Sequence, residues 1–230
     1  MADTKISALS SGTAAQSTDR LPASRSGANV HLTPLMLREF SAFTPVYVSG
    51  RWYLPDTRSP GTFTGLAFSV ASTLRLVPGI ISRTVSVTAL GAVVTTGEAG
   101  KNIQLGIYNA SATTARPTTL VAKTASMTID AAGAKSASIT GGPVTLNPGL
   151  YWFAANSDST LVVCNCATSG EVTGPTLIGS TTLANLLTAS ASLTGFTTVD
   201  TFGTWTADIT SNSFTELTSS RRAAVAFQVT

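Results

Sequence analysis

Histidine occurs once in the 230 residues, at His31, and cysteine twice, at Cys164 and Cys166. A hydrolase triad needs a base, usually histidine, beside its nucleophile, and His31 falls in a polar N-terminal stretch that offers neither partner nor pocket. A metal site built on the cysteines lacks further ligands. At i and i+2 of a strand the two point to one face, so both are expected in the core as small hydrophobes. Charged residues make up only 11% of the chain, less than half the roughly 25% of ordinary globular proteins. No Lys or Arg occurs from Ser136 to Ser220, where Asp158, Glu171, Asp200, Asp208 and Glu216 remain. The net charge is +3, yet no basic stripe accompanies it, which argues against nucleic-acid binding. Asp200 and Asp208 are the only acids close together in the back half, and no glycosidase motif surrounds them. Phosphate-binding glycine loops and calcium loops are absent, as are heptads and any apolar run of the roughly 20 residues a membrane span needs. The expectation is a protein that is not an enzyme, holds no cofactor or metal and inserts into no membrane. Met1-Ala2-Asp3-Thr4-Lys5 runs into Ser and Gly rather than an apolar stretch, so export by a signal peptide is not expected.

What is present is β pattern. The hydrophobic fraction is 43% and the mean hydropathy +0.27, too apolar for a largely disordered chain. Two strands stand at the centre. In Ile103–Tyr108, Ile103, Leu105 and Ile107 alternate with Gln104, Gly106 and Tyr108, the period of a half-buried strand. Leu150–Ala155 follows the turn Asn147-Pro148-Gly149 and is apolar throughout, as a strand covered on both faces would be. Further strands are expected at Val46–Val48, Trp52–Leu54, Phe63–Val70, Thr73–Val77, Ile80–Leu90, Leu120–Ile129, Ser136–Ile139, Val144–Leu146, Leu161–Cys166 and Ala223–Val229. Thr194–Thr206 reads as a loop with Phe196, Phe202 and Trp205 against the sandwich, and Thr182–Leu187 as a helical turn. The fold class is all-β: an antiparallel, jelly-roll-like β-sandwich over residues 46–230. Trp52, Tyr53, Tyr108, Trp152 and Trp205 are available as platforms for a carbohydrate, with Trp205 the candidate for exposure.

Residues 1–45 form an arm. Ile6, Leu9, Leu21, Pro22, Val30 and Leu32 are isolated apolar anchors between polar spacers, a stretch too poor to bury its own core. It suits an extended segment lying across another protein. Thr33–Phe40 reads as a short helix, with Thr33 as N-cap and Pro34 at the first helical position. Thr44-Pro45 ends it.

Two stretches resemble tailed-bacteriophage virion appendages. Ala2-Asp3-Thr4-Lys5-Ile6-Ser7-Ala8-Leu9, followed by Gly12-Thr13, Asp19, Leu21-Pro22 and Ser26-Gly27-Ala28, is similar to the leader of tail-fibre and related proteins. Gly50-Arg51-Trp52-Tyr53, Leu105-Gly106-Ile107-Tyr108-Asn109, Arg116-Pro117 with Leu120, and Pro148-Gly149-Leu150-Tyr151-Trp152 resemble a β-sandwich domain of fibre-type proteins. The resemblance implies a structural virion protein, assembled in the host cytoplasm, whose arm docks onto other virion proteins through the six anchors and whose sandwich projects for host attachment. It further implies a homotrimer, and a host cell-surface glycan as a possible ligand. On that reading the receptor contact falls in the acidic, aromatic segment Thr194–Thr206, at Trp205 and Asp200. Capsid decoration, a neck or adaptor role, and a carbohydrate-binding module are the alternatives.

Overall fold

A computed structural model describes residues 21–25, 28–32, 46–55, 63–68, 70–167, 194–217 and 222–230. The chain divides into two units, Met1–Pro45 and Val46–Thr230. In the first, β1 (Leu21–Arg25) and β2 (Ala28–Leu32) pair antiparallel, with Leu21 opposite Leu32, Pro22 opposite His31 and Ala23 opposite Val30. The anchors Leu21, Pro22, Val30 and Leu32 thus lie on a hairpin rather than a plain extended segment. Pairing satisfies the backbone N–H and C=O groups of both strands without needing a core, which apolar spacing alone does not reveal. Ile6, Leu9 and the expected helix Thr33–Phe40 lie outside the described residues, as does the expected turn Thr182–Leu187.

The second unit is an all-β sandwich. Its strands are β3 (Trp52–Tyr53), β4 (Phe63–Ala67), β5 (Thr73–Ile81), β6 (Val85–Thr96), β7 (Asn102–Ala110), β8 (Pro117–Lys123) and β9 (Met127–Thr128). They continue as β10 (Gly133–Ser138), β11 (Val144–Leu146), β12 (Gly149–Ser157), β13 (Val163–Ala167), β14 (Gly195–Val199), β15 (Thr215–Leu217), β16 (Arg222–Ala223) and β17 (Ala226–Val229). All pairings are antiparallel. One sheet is built on the long strand β6, with β10 and β11 along one edge and β17 and β13 along the other. β3 extends this sheet beyond β17, while β4 and β16 pair with β13. The other sheet runs β15-β14-β5-β12-β7-β8, with β9 also on β7.

The main core lies between the sheets. Ile103, Leu105 and Ile107 of β7 and Phe153 and Ala155 of β12 pack there with Val87, Leu90 and Val94 of β6 and Phe227 of β17. Cys164 is buried in the same cluster, as its strand position indicated. In β6 the alternation of Val85 and Val87 with Ser86 holds, then changes phase near Ala89, where the register with β17 shifts between Gln228 and Val229. Such a bulge flips which residues face inward.

Several strand boundaries differ from expectation. Val46–Val48 is not a strand; its Val48 N–H donates instead to the Tyr53 hydroxyl at 2.7 Å. Thr73–Ile81 is one strand despite Pro78. Strand β14 pairs with β5 only from Thr73 to Leu76, so Pro78 sits where β5 is an edge and its missing N–H breaks no ladder. Gly195–Val199, within the expected loop Thr194–Thr206, is strand β14.

The largest correction concerns β7. It is buried on both faces: Gln104 is 6% exposed and Tyr108 fully buried. A second apolar cluster covers the outer face of this sheet, formed by Leu74, Leu76, Tyr108, Trp152, Ala154, Phe196, Trp205 and Ile209. Trp152 and Ala154 of β12 supply its centre, so that strand is indeed covered on both sides.

Candidate functional site

The residues chosen from sequence as a receptor contact form a structural cover instead. Trp205 is 4% exposed and Asp200 5%. The segment after β14 folds flat across β7 rather than projecting. A Cβ on Gly106 would stand 2.1 Å from Cζ3 of Trp205, so glycine is what lets the indole settle on the strand. Tyr108 stacks on Trp205, with ring centroids 6.0 Å apart and an interplanar angle of 11°. The Trp205 indole N–H donates to Gln104 Oε1 at 3.1 Å, and Gln104 Nε2 donates to the Thr124 carbonyl at 3.2 Å. The Trp205 indole N–H and the Gln104 amide are thereby satisfied, as burial requires.

Asp200 closes the loop that carries Trp205. Its carboxylate accepts from the Thr206 N–H at 3.0 Å and from the Thr206 hydroxyl at 2.8 Å. Asp208 is engaged in its own turn, accepting from Thr210 N–H at 2.9 Å and from the Thr210 hydroxyl at 2.6 Å. Those bonds from Thr210 hold its carboxyl below the usual range. The two acids therefore serve separate local turns and form no carboxylate dyad. Trp205 itself has φ of +45°, a left-handed conformation held by these surroundings. A buried indole presents no face to a ligand, so the receptor contact expected at Trp205 and Asp200 is withdrawn. The sequence signal was there to read: a glycine inside an apolar strand marks a close approach of something large.

Burial, and after it the charge of Asp200, pushes the Tyr108 phenol above its ordinary 10.0. Its hydroxyl donates to the Thr206 carbonyl at 3.1 Å. A tyrosine with a folded pKa above its unfolded one keeps its proton longer in the native state. Its contribution to stability is fully present below about pH 10 and is lost as the pH rises beyond that. Denaturant unfolding from pH 9 to 11 is expected to show stability falling more steeply for the wild-type chain than for Tyr108→Phe. Equal slopes would show that this phenol does not couple to folding.

An exposed aromatic surface exists elsewhere, on the outer face of the β6 sheet. Trp52 is 42% exposed and stands beside a groove of about 360 Å³. Gly91, Ala224 and Ala226 form the floor, and Val93 and Ala134 stand across from the indole. Register explains the assembly. Gln228 pairs with Trp52, and Ala226 with Gly91, which brings the β3 tryptophan alongside β6. A Cβ on Gly91 would lie 3.0 Å from Cζ3 of Trp52, so the ring edge rests on bare backbone. Polar groups are few. Ser136 pairs with Gly91 and Asn165 with Gly65, and among the described residues neither side chain is used in a hydrogen bond. Lys135 pairs with Ala92, on the face packed against the core, and its backbone carbonyl is what lies by Gly91. Sequence reasoning had Trp52 among its aromatic candidates but could not separate it from the buried ones.

Among the described residues no cluster of His, Cys, Asp and Glu could hold a metal ion. Compared with protein-family models, with curated proteins and with solved structures, the chain matches none.

Proposed function

We propose that this chain is a structural protein of a tailed-phage virion, a short fibre-type appendage without catalytic activity. Its N-terminal arm anchors it to other virion proteins, and its sandwich projects for host attachment. The observation that supports the reading is the groove beside Trp52, an exposed aromatic surface held on a rigid two-sheet body, with no ionisable side chain aimed into it. Such a surface suits contact rather than chemistry. A coat-stabilising decoration is the second reading. It is favoured by three more exposed apolar side chains, Val70 at 57%, Leu161 at 63% and Val199 at 78%, which would be covered in a homotrimer or against the shell.

Deleting residues 2–32 is expected to leave the sandwich folded and to abolish incorporation into particles. Particles lacking the chain should then adsorb poorly to cells if it is an appendage, or lose physical integrity if it is decoration. A truncated chain that still assembles at normal occupancy would show that the arm is not the anchor.

A further inference from the structure

We infer that the hairpin of the first unit joins two copies of this chain, β2 against β2, into one four-stranded antiparallel sheet. The hairpin is closed by Arg25 opposite Ala28. With only two residues between them, these two pair through their own backbone groups. Along an antiparallel ladder bonded and unbonded pairs alternate, so Ala23 with Val30 and Leu21 with Leu32 are bonded pairs as well. The backbone groups of Pro22 and Ser24 then point out along one edge, and those of Asn29 and His31 along the other. The two edges differ. Proline has no N–H to offer, so Pro22 blunts β1 as edge prolines do, whereas Asn29 and His31 present two donors and two acceptors. No further strand pairs with either edge among the described residues, and a two-stranded hairpin by itself is marginal in water.

A second copy supplies what β2 lacks. Turned antiparallel about a two-fold axis at Val30, it sets Asn29 opposite His31 of the partner subunit and His31 opposite the partner's Asn29. That register uses every free backbone group of Asn29 and His31 on both strands. It also matches faces. Alternation puts Leu21, Ala23, Val30 and Leu32 on one side of the hairpin and Pro22, Ser24, Asn29 and His31 on the other, and residues directly opposite share a side. Val30 therefore stands against the partner's Val30, and Ala28 against the partner's Leu32, on one continuous apolar face. No Asp, Glu, Lys or Arg lies in Ala28–Leu32, so β2 does not repel its copy. Growth stops at two, because both outer edges of the new sheet are β1, blunted by Pro22. This two-fold pairing differs from the homotrimer that the resemblance implies, and it holds whether the sandwich attaches or decorates.

Sedimentation of the full-length chain from nanomolar to high micromolar concentration is expected to show a dimer. Asn29→Pro and His31→Pro remove N–H groups that lie outside the β1–β2 ladder. Each should spare the hairpin and weaken the dimer by on the order of tenfold or more. Ser24→Pro, on the edge already blunted, should leave it unchanged. A second measurement does not depend on proline. Val30→Cys sets two thiols across the axis, where an unbonded pair brings Cα atoms to about 4.5 Å, within reach of a disulfide. Oxidation should yield a cross-linked dimer of that variant and none of Ser24→Cys. A monomer throughout the concentration range overturns the inference. So does an oligomer unaffected by Asn29→Pro and His31→Pro, or a Val30→Cys chain that cross-links no faster than Ser24→Cys.

Discussion

Replacing Trp205 by alanine is expected to destabilise the sandwich by about 3–5 kcal/mol, the usual cost of emptying a large aromatic site. The indole is 4% exposed, lies on Gly106, stacks on Tyr108 and donates to Gln104. Its removal opens a void over β7 and leaves the Gln104 carbonyl oxygen without its donor, which adds to the loss. Gly106→Ala attacks the same contact from beneath. Its methyl would stand 2.1 Å from one ring atom and 2.7 Å from the next, so the indole must leave its seat, at a cost of about 1–3 kcal/mol or more. Thermal or denaturant unfolding of the two variants beside Trp52→Ala provides the comparison. The first two should unfold early, while Trp52→Ala should lie within about 0.5 kcal/mol of wild type, as surface changes do. A Trp205→Ala chain of wild-type stability would show that the segment after β14 is not a cover.

Replacing Arg75 by methionine is expected to stabilise the chain. Arg75 is 9% exposed, and its register places it between Ala155 and Thr197, on the face opposite Leu74 and Leu76. No carboxylate pairs with it among the described residues, its Nε has no partner, and burial holds the guanidinium below its ordinary pKa. The compensation is the Phe68 ring, 4.8 Å from the guanidinium carbon. A desolvated cation–π contact contributes about 2 kcal/mol, whereas burying a charge costs several kcal/mol. Methionine keeps the apolar stem of the side chain, and its flexible thioether can repack towards the Phe68 ring, while the charge is removed. The expected gain is about 1–3 kcal/mol, within the range seen when buried ions give way to apolar residues. A lower unfolding midpoint for Arg75→Met would mean that the guanidinium meets an anion in solution.

Local alternation determined much of this protein in advance. Ile103, Leu105 and Ile107 face the core, Leu150–Ala155 lies in one strand that is buried on both sides from Trp152 onward, and Ala226–Val229 is the last strand of the larger sheet. Side chains two apart share a face of a strand whatever the strand pairs with, so these statements need no knowledge of the partner. The all-β class followed from the same pattern, repeated between Gly, Pro and Asn turns.

Which aromatics are covered was decided only by tertiary structure. Trp52 and Trp205 stand in similar company, each beside Thr, Ser, Gly or Arg, and no local pattern ranks them. Their fates depend on two glycines distant in sequence, Gly91 under Trp52 and Gly106 under Trp205. One ring meets bare backbone at the outer face of a sheet and remains 42% exposed; the other is enclosed by Tyr108, Gln104 and a loop tied by Asp200. Periodicity reports which face of a strand a residue occupies. Whether that face is then covered depends on strand order and on where a later loop returns, and those are set by the whole chain packing at once.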